Sequence, residues 1–113
     1  MPGTESPLPT AALHILLAIG PEARHGYAIM TDVAASTAGA VRLAPGTLYT
    51  NIKRLLAAGL IEEAEPPDPD DGDDARRRYY RLTVSGHGVV AAEVARMEVL
   101  VARARGWVRR PSG

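Results

Sequence analysis

Cysteine is absent from this chain of 113 residues, so it has neither a disulfide framework nor a thiolate metal site. Long hydrophobic runs are absent too. The longest, residues 11–19, contains His14 and is far shorter than the roughly twenty residues that a bilayer span needs. The N-terminus lacks the basic and apolar segments of a signal peptide. These absences predict a cytoplasmic protein with no membrane partner.

Catalytic and metal-binding patterns are also lacking. The histidines His14, His25 and His87 are far apart in sequence, with no cysteine or paired carboxylate at ligand spacing. There is no Ser/His/acid set and no glycine-rich phosphate loop in a nucleotide-binding context. The acidic stretch 68–74 lacks the alternating ligands and terminal glutamate of a calcium loop. We therefore expect no enzyme activity, no metal and no cofactor.

The formal net charge is zero, but the charges are unevenly distributed. Eight of the thirteen acids lie between residues 62 and 74, which leaves thirteen bases against five acids elsewhere, a net of +8. Salt screens charges beyond about 8–10 Å, so a local basic patch binds anions even when the total charge cancels. The neutral total therefore does not exclude a nucleic-acid partner.

Three segments carry apolar residues at helical spacing and are bounded by glycine or proline: residues 9–19, 27–39 and 45–59. Pro45 suits the first position of the third helix. A backbone N–H at that position would have no acceptor within the helix, so proline loses no hydrogen bond there, and its fixed φ is already helical. The apolar residues of this third helix lie on one side of it, and the opposite side is polar. Three consecutive helices are thus predicted in the first half of the chain.

A hairpin and a long helix complete the predicted elements. Leu60-Ile61, a turn rich in Pro, Asp and Gly, and residues 77–82 predict a β-hairpin. Thr83 is a suitable N-cap for the last segment, which meets no proline before Pro111. The predicted fold class is mainly α with a small β-hairpin: a winged helix-turn-helix domain followed by a long C-terminal helix.

The last helix carries an apolar stripe that steps alternately by four and three residues, the spacing of a helix that packs against another helix. Its members are Val90, Val94, Met97, Val101, Ala104 and Val108. The short elements before it are too small to cover this stripe, so a homodimer is expected. Packing alone explains such a stripe. A second hypothesis is a site for a small hydrophobic or aromatic effector around Met97, because methionine suits adaptable apolar pockets.

Three motifs together resemble one family. The segment PGTLY at 45–49, continuing through KRL at 53–55 to GLI at 59–61, is similar to the recognition-helix signature of the PadR-like transcriptional regulators. HGY at 25–27 and RRRYYRLT at 76–83 match two further motifs of that family in the same order and spacing. The short single C-terminal helix resembles the compact branch of the family.

The resemblance implies a dimeric repressor that binds double-stranded DNA and often responds to small aromatic or cationic compounds. The DNA contacts that it implies are Tyr27, Pro45, Gly46, Thr47, Tyr49, Thr50, Lys53, Arg54, Arg76, Arg77 and Arg78. It also implies that C-terminal helices pack with the first helix in the dimer, which adds Leu13, Leu16 and Leu17 to the stripe. The hypothetical effector site comprises Leu13, Val94, Met97 and Val101.

The expected organisation has four parts: an N-terminal arm over 1–8, the winged-helix domain over 9–83 with its wing loop at 66–76, a dimerisation helix over 84–110 and a tail over 111–113.

Two departures from the family pattern leave an alternative open. The wing tip, residues 68–74, is strongly acidic, and carboxylates repel DNA phosphates. Ala44 stands where Ser or Asn would cap the third helix. The three arginines at 76–78 also have the charge to balance the neighbouring aspartates. The competing function is therefore a winged helix used for protein contacts without sequence-specific DNA binding.

Overall fold

The computed structural model describes residues 8–66 and 78–108. In chain order their elements are α1 (Thr10–Ile19), β1 (Arg24–His25), α2 (Gly26–Ser36), α3 (Pro45–Ala57), β2 (Ile61–Ala64), β3 (Tyr79–Leu82) and α4 (Val84–Arg105). The strands form an antiparallel sheet in the order β1-β3-β2, against which the first three helices pack. This mainly α, winged helix-turn-helix architecture confirms the predicted fold class.

The core lies where α1, α2 and α3 meet the inner face of the sheet. The largest completely buried side chains are Ile15, Leu16, Ile19, Ile29, Val33, Leu48 and Ile61. From β3, Tyr80 belongs to this core and Leu82 packs against it. Because strand side chains alternate, both point to the same face of the sheet. Burial of this apolar surface is the main term that holds the helices on the sheet.

Helix α1 is apolar on nearly all sides, and only some of its side chains are exposed to solvent. Leu17 is 48% exposed and Leu13 is half-buried, whereas Leu16 has no exposed surface. The structure therefore corrects the prediction that Leu16 contacts a second copy, because its side chain fills the core of its own domain. Leu13 and Leu17 keep surface that a partner can reach.

The turn after α2 ends that helix before Gly39, earlier than the periodicity predicts. Thr37 Oγ1 accepts a hydrogen bond from the Val41 N–H at 3.0 Å. Ala38 and Gly39 take left-handed backbone with φ of 51° and 82°, and the Gly39 N–H donates to the Ala34 carbonyl at 2.8 Å. Since this closes the end of α2, the chain turns into α3 and the two helices form the helix-turn-helix.

Hydrogen bonds connect the N-terminus of α4 to the residues that follow α3. Thr83 caps α4 as predicted, since its Oγ1 accepts from the Gly86 N–H at 3.0 Å, and the same hydroxyl donates to the Gly59 carbonyl at 2.6 Å. The Thr83 N–H donates to the Leu60 carbonyl at 3.1 Å. Gly86 lies against that Leu60 carbonyl with no room for a Cβ.

The second half of α4 projects beyond this packing. Gly86 and Glu93 are buried and Met97 is half-buried, but from residue 99 onward the large apolar side chains are exposed. They are Val99, Leu100, Val101, Trp107 and Val108. Although α4 has 22 residues, neither it nor any other helix in the described ranges is apolar enough over its length to cross a membrane.

Candidate nucleic-acid interface

The outward face of α3 is polar and exposed. Leu48, Ile52 and Leu55 anchor its inner stripe in the core, so the other side of the helix faces solvent. The predicted contacts from this helix are all exposed: Pro45, Gly46, Thr47, Tyr49, Thr50, Lys53 and Arg54. Within the described residues, neither Lys53 nor Arg54 has an ion-pair partner. This face therefore carries two positive charges that no acid in the described ranges pairs with.

The approach to α3 carries a further exposed cation, Arg42, that the sequence predictions do not include. Ala44, at the N-cap, makes no side-chain capping bond, as its chemistry requires. Arg42 is exposed just before it and, in the part of the chain that the structure describes, forms no ion pair. A lone cation directly ahead of a helix that begins at Pro45 is the signal that would have identified it. Asn51, in contrast, donates to the Thr47 carbonyl of its own helix at 2.9 Å.

The start of α2 is held by His25 and exposes Tyr27. His25 Nδ1 accepts a hydrogen bond from the Ala28 N–H at 3.2 Å. The His25 ring also meets the Tyr79 ring edge-on, with centroids 5.3 Å apart. His25 is thus the N-cap of α2. Tyr27, 66% exposed, follows at the first turn of this helix.

The Tyr49 side chain extends from α3 to the start of α2. Its hydroxyl is so close to Gly26 that a Cβ on Gly26 would come within 2.7 Å of it. On the sheet side, burial and the Glu63 carboxylate raise the pKa of Tyr80, and Tyr49 adds to this effect. Arg78 opposes it. Tyr49 is therefore a packing residue as well as an exposed one, and Gly26 provides the room that its ring needs.

The strands of the wing carry two ion pairs. Arg78 Nη1 donates to both carboxylate oxygens of Glu63, at 3.1 and 3.3 Å, and Arg81 Nε donates to Glu62 at 2.6 Å. Arg78 thus has an acid partner, Glu63 of β2, whereas the aspartates that the alternative interpretation names lie outside the described residues. The other predicted wing contacts and the acidic tip lie outside the described residues: Arg76, Arg77 and residues 68–74.

The predicted dimer stripe on α4 is divided between two environments. Val94, Val101 and Val108 are exposed, whereas Val90, Met97 and Ala104 are half-buried. Val90 packs against the domain core. The residues proposed for an effector, Leu13, Val94, Met97 and Val101, are all exposed or half-buried.

This fold and this polar helix define a winged helix-turn-helix protein in which α3 occupies the position of a recognition helix. A model of the transcriptional regulator PadR-like family matches residues 15–92, and the chain belongs to this family of transcriptional regulators. The family predicted from the three motifs is thereby confirmed.

Several solved structures share the fold. A transcriptional regulator from Clostridium thermocellum is 22% identical, with a TM-score of 0.67 over 87% of this chain and 89% of that one. A PadR family transcription regulator from Clostridium difficile is 21% identical, with a TM-score of 0.67 over 84% and 94%. RosR from H. salinarum is 26% identical, with a TM-score of 0.62 over 88% and 94%. No curated protein matches the chain.

Proposed function

We propose that this protein is a transcriptional repressor that binds double-stranded DNA as a homodimer through α3. The observation that carries the proposal is the exposed polar face of α3, on which Lys53 and Arg54 have no acidic partner among the described residues. An α-helix fits the major groove, where threonine, lysine and arginine meet both phosphates and base edges. Tyr27, exposed at the start of α2, adds a hydroxyl for a phosphate.

Lys53→Ala and Arg54→Ala test this proposal. A lost phosphate contact weakens binding to every sequence and reduces the salt dependence, whereas a lost base contact costs about 1–3 kcal/mol for one base pair only. The measurement is a fluorescence anisotropy titration at several salt concentrations, on a duplex first located by footprinting DNA upstream of the protein's own gene. The footprint is expected to show two half-sites about one helical turn apart, or a multiple of that.

Arg103→Ala is the matched control, because Arg103 is an exposed cation on α4, away from the polar face of α3. It is expected to leave DNA affinity nearly unchanged. If neither α3 variant weakened binding relative to this control, the recognition-helix assignment would be wrong. If no footprint appeared, a winged helix that serves protein contacts would be the better description.

The homodimer is supported by the exposed apolar side chains of α4. Val94 and Val101 are seven residues apart and lie on the same side of the helix as the half-buried Met97. A second copy of α4 covers this side and removes its apolar surface from water. Leu17, on the exposed part of α1, extends the apolar surface that a partner helix meets.

The proposal includes an effector site where two copies of α4 meet, around Leu13, Val94, Met97 and Val101. Its support is that these four apolar side chains are exposed or half-buried, so a flat hydrophobic ligand can reach them. A flat hydrophobic dye is expected to bind saturably to the dimer, and Met97→Ala is expected to weaken that binding about tenfold. Titration of dye fluorescence measures both. Unsaturable binding, equal for both proteins, would leave only a packing seam.

A further inference from the structure

The ion pair between Glu63 and Arg78 lies on the side of the sheet that faces α3. In the strand register Glu63 is opposite Tyr80, so the two side chains share a face of the sheet. Arg78 is two residues before Tyr80 and shares that face too. Tyr80 is buried in the core to which Leu48 and Ile52 of α3 also belong. The pair therefore lies on the face of the sheet whose core residues pack with those of the proposed recognition helix.

The ion pair between Glu63 and Arg78 contributes little to stability, although its atoms are within hydrogen-bond distance. The Arg78 and Glu63 side chains are 69% and 54% exposed, and ion pairs at such exposure contribute little to stability. A single nitrogen, Arg78 Nη1, reaches both carboxylate oxygens, and a guanidinium group also binds phosphate oxygens well. Arg78 can therefore change partner at small cost, while the Glu63 carboxylate stays on the strand, close to where the phosphate would bind.

We propose that Glu63 competes with a DNA phosphate for Arg78 and so lowers the affinity and the salt dependence of DNA binding at the base of the wing. This inference rests on the proposed DNA-binding function. In the free protein Glu63 neutralises Arg78, and a phosphate can bind Arg78 only by displacing this carboxylate. The acid therefore acts as an affinity-setting residue, and its removal strengthens binding.

The second ion pair of the wing provides the control. Glu62 is opposite Arg81 in the register, and alternation puts both on the other face of the sheet from Tyr80. Glu62 and Arg81 are 46% and 60% exposed, so this pair resembles the first in exposure and in charge. Removing Glu62 changes the net charge by the same amount, but on the side of the sheet away from the core.

The experiment measures DNA affinity of Glu63→Gln, Glu62→Gln, Arg78→Ala and the double variant Glu63→Gln/Arg78→Ala by anisotropy on the footprinted duplex at several salt concentrations. Glu63→Gln is expected to bind about fivefold more tightly. Its plot of log affinity against log salt concentration is expected to be steeper by about 0.9 for each additional phosphate contact. Glu62→Gln is expected to stay within about twofold of the wild type. In the Arg78→Ala background the gain from Glu63→Gln is expected to vanish.

Three results would overturn the inference: no gain from Glu63→Gln, an equal gain from Glu62→Gln, or a gain that persists without Arg78. The second would indicate a general charge effect, and the third a direct repulsion of DNA by Glu63. Each of these requires that the wild-type protein bind the duplex. Failure of the wild type and of Glu63→Gln to bind any duplex would instead contradict the proposed function.

Discussion

Gly86→Ala is expected to lower the melting temperature of this protein by about 15 °C, which corresponds to a loss of roughly 3 kcal/mol of stability. An added Cβ on Gly86 would overlap the Leu60 carbonyl oxygen and come within 3.1 Å of the Leu60 carbonyl carbon. Both atoms are backbone, so they cannot move aside as the end of a flexible side chain does. The same carbonyl accepts the Thr83 N–H, and a shift would break that bond as well.

Gly88→Ala is the matched control, since a Cβ on Gly88 meets no atom within 4 Å. Gly88 is inside α4, where alanine is favoured over glycine by about 1 kcal/mol, so this variant is expected to melt several degrees higher. Thermal unfolding followed by circular dichroism at one protein concentration compares the three proteins, because association makes the midpoint concentration-dependent. Equal melting temperatures for the two variants would show that the contact between α4 and Leu60 is not as close as described.

The parts of this fold that the sequence predicted are those that depend on local chemistry. Pro45 begins α3 because its φ and its missing N–H suit only the first turn of a helix. Thr83 caps α4 through a bond to Gly86, three residues away. The outer face of α3 follows from helical spacing alone, once Leu48 and Ile52 are assigned to the core. Such features need no knowledge of distant contacts.

The features that the sequence did not predict depend on tertiary packing. Strand β1 has only two residues, too few for any alternation to be recognised. Periodicity could not separate the buried Leu16 from the exposed Leu17, because α1 is apolar on nearly every side. The contact between Glu63 and Arg78 joins residues fifteen positions apart, and it follows only from the register of the hairpin. The sequence thus predicted which face of α3 is exposed, but not the partners of the candidate residues on the wing.

Val101→Glu is expected to convert the protein to a monomer and to lower its affinity for the two-half-site duplex by roughly 100-fold. Val101 is 47% exposed and lies on the side of α4 that carries Val94 and Met97. In a helix pair a glutamate there would be buried without a partner, which is costly for a charge. Once the dimer is lost, each domain binds its half-site separately, and the gain from linking the two binding events disappears.

Val99→Glu separates this effect from a general change in charge or helix propensity. Val99 is 68% exposed and two residues from Val101, which on a helix of 3.6 residues per turn places it roughly 200° away, on the opposite side. Sedimentation velocity is expected to show a dimer for the wild type and Val99→Glu, and a monomer for Val101→Glu. If Val101→Glu remained dimeric, the copies would have to associate through another surface. If it became monomeric but kept its DNA affinity, one domain would suffice for recognition and the linked half-sites would not be required.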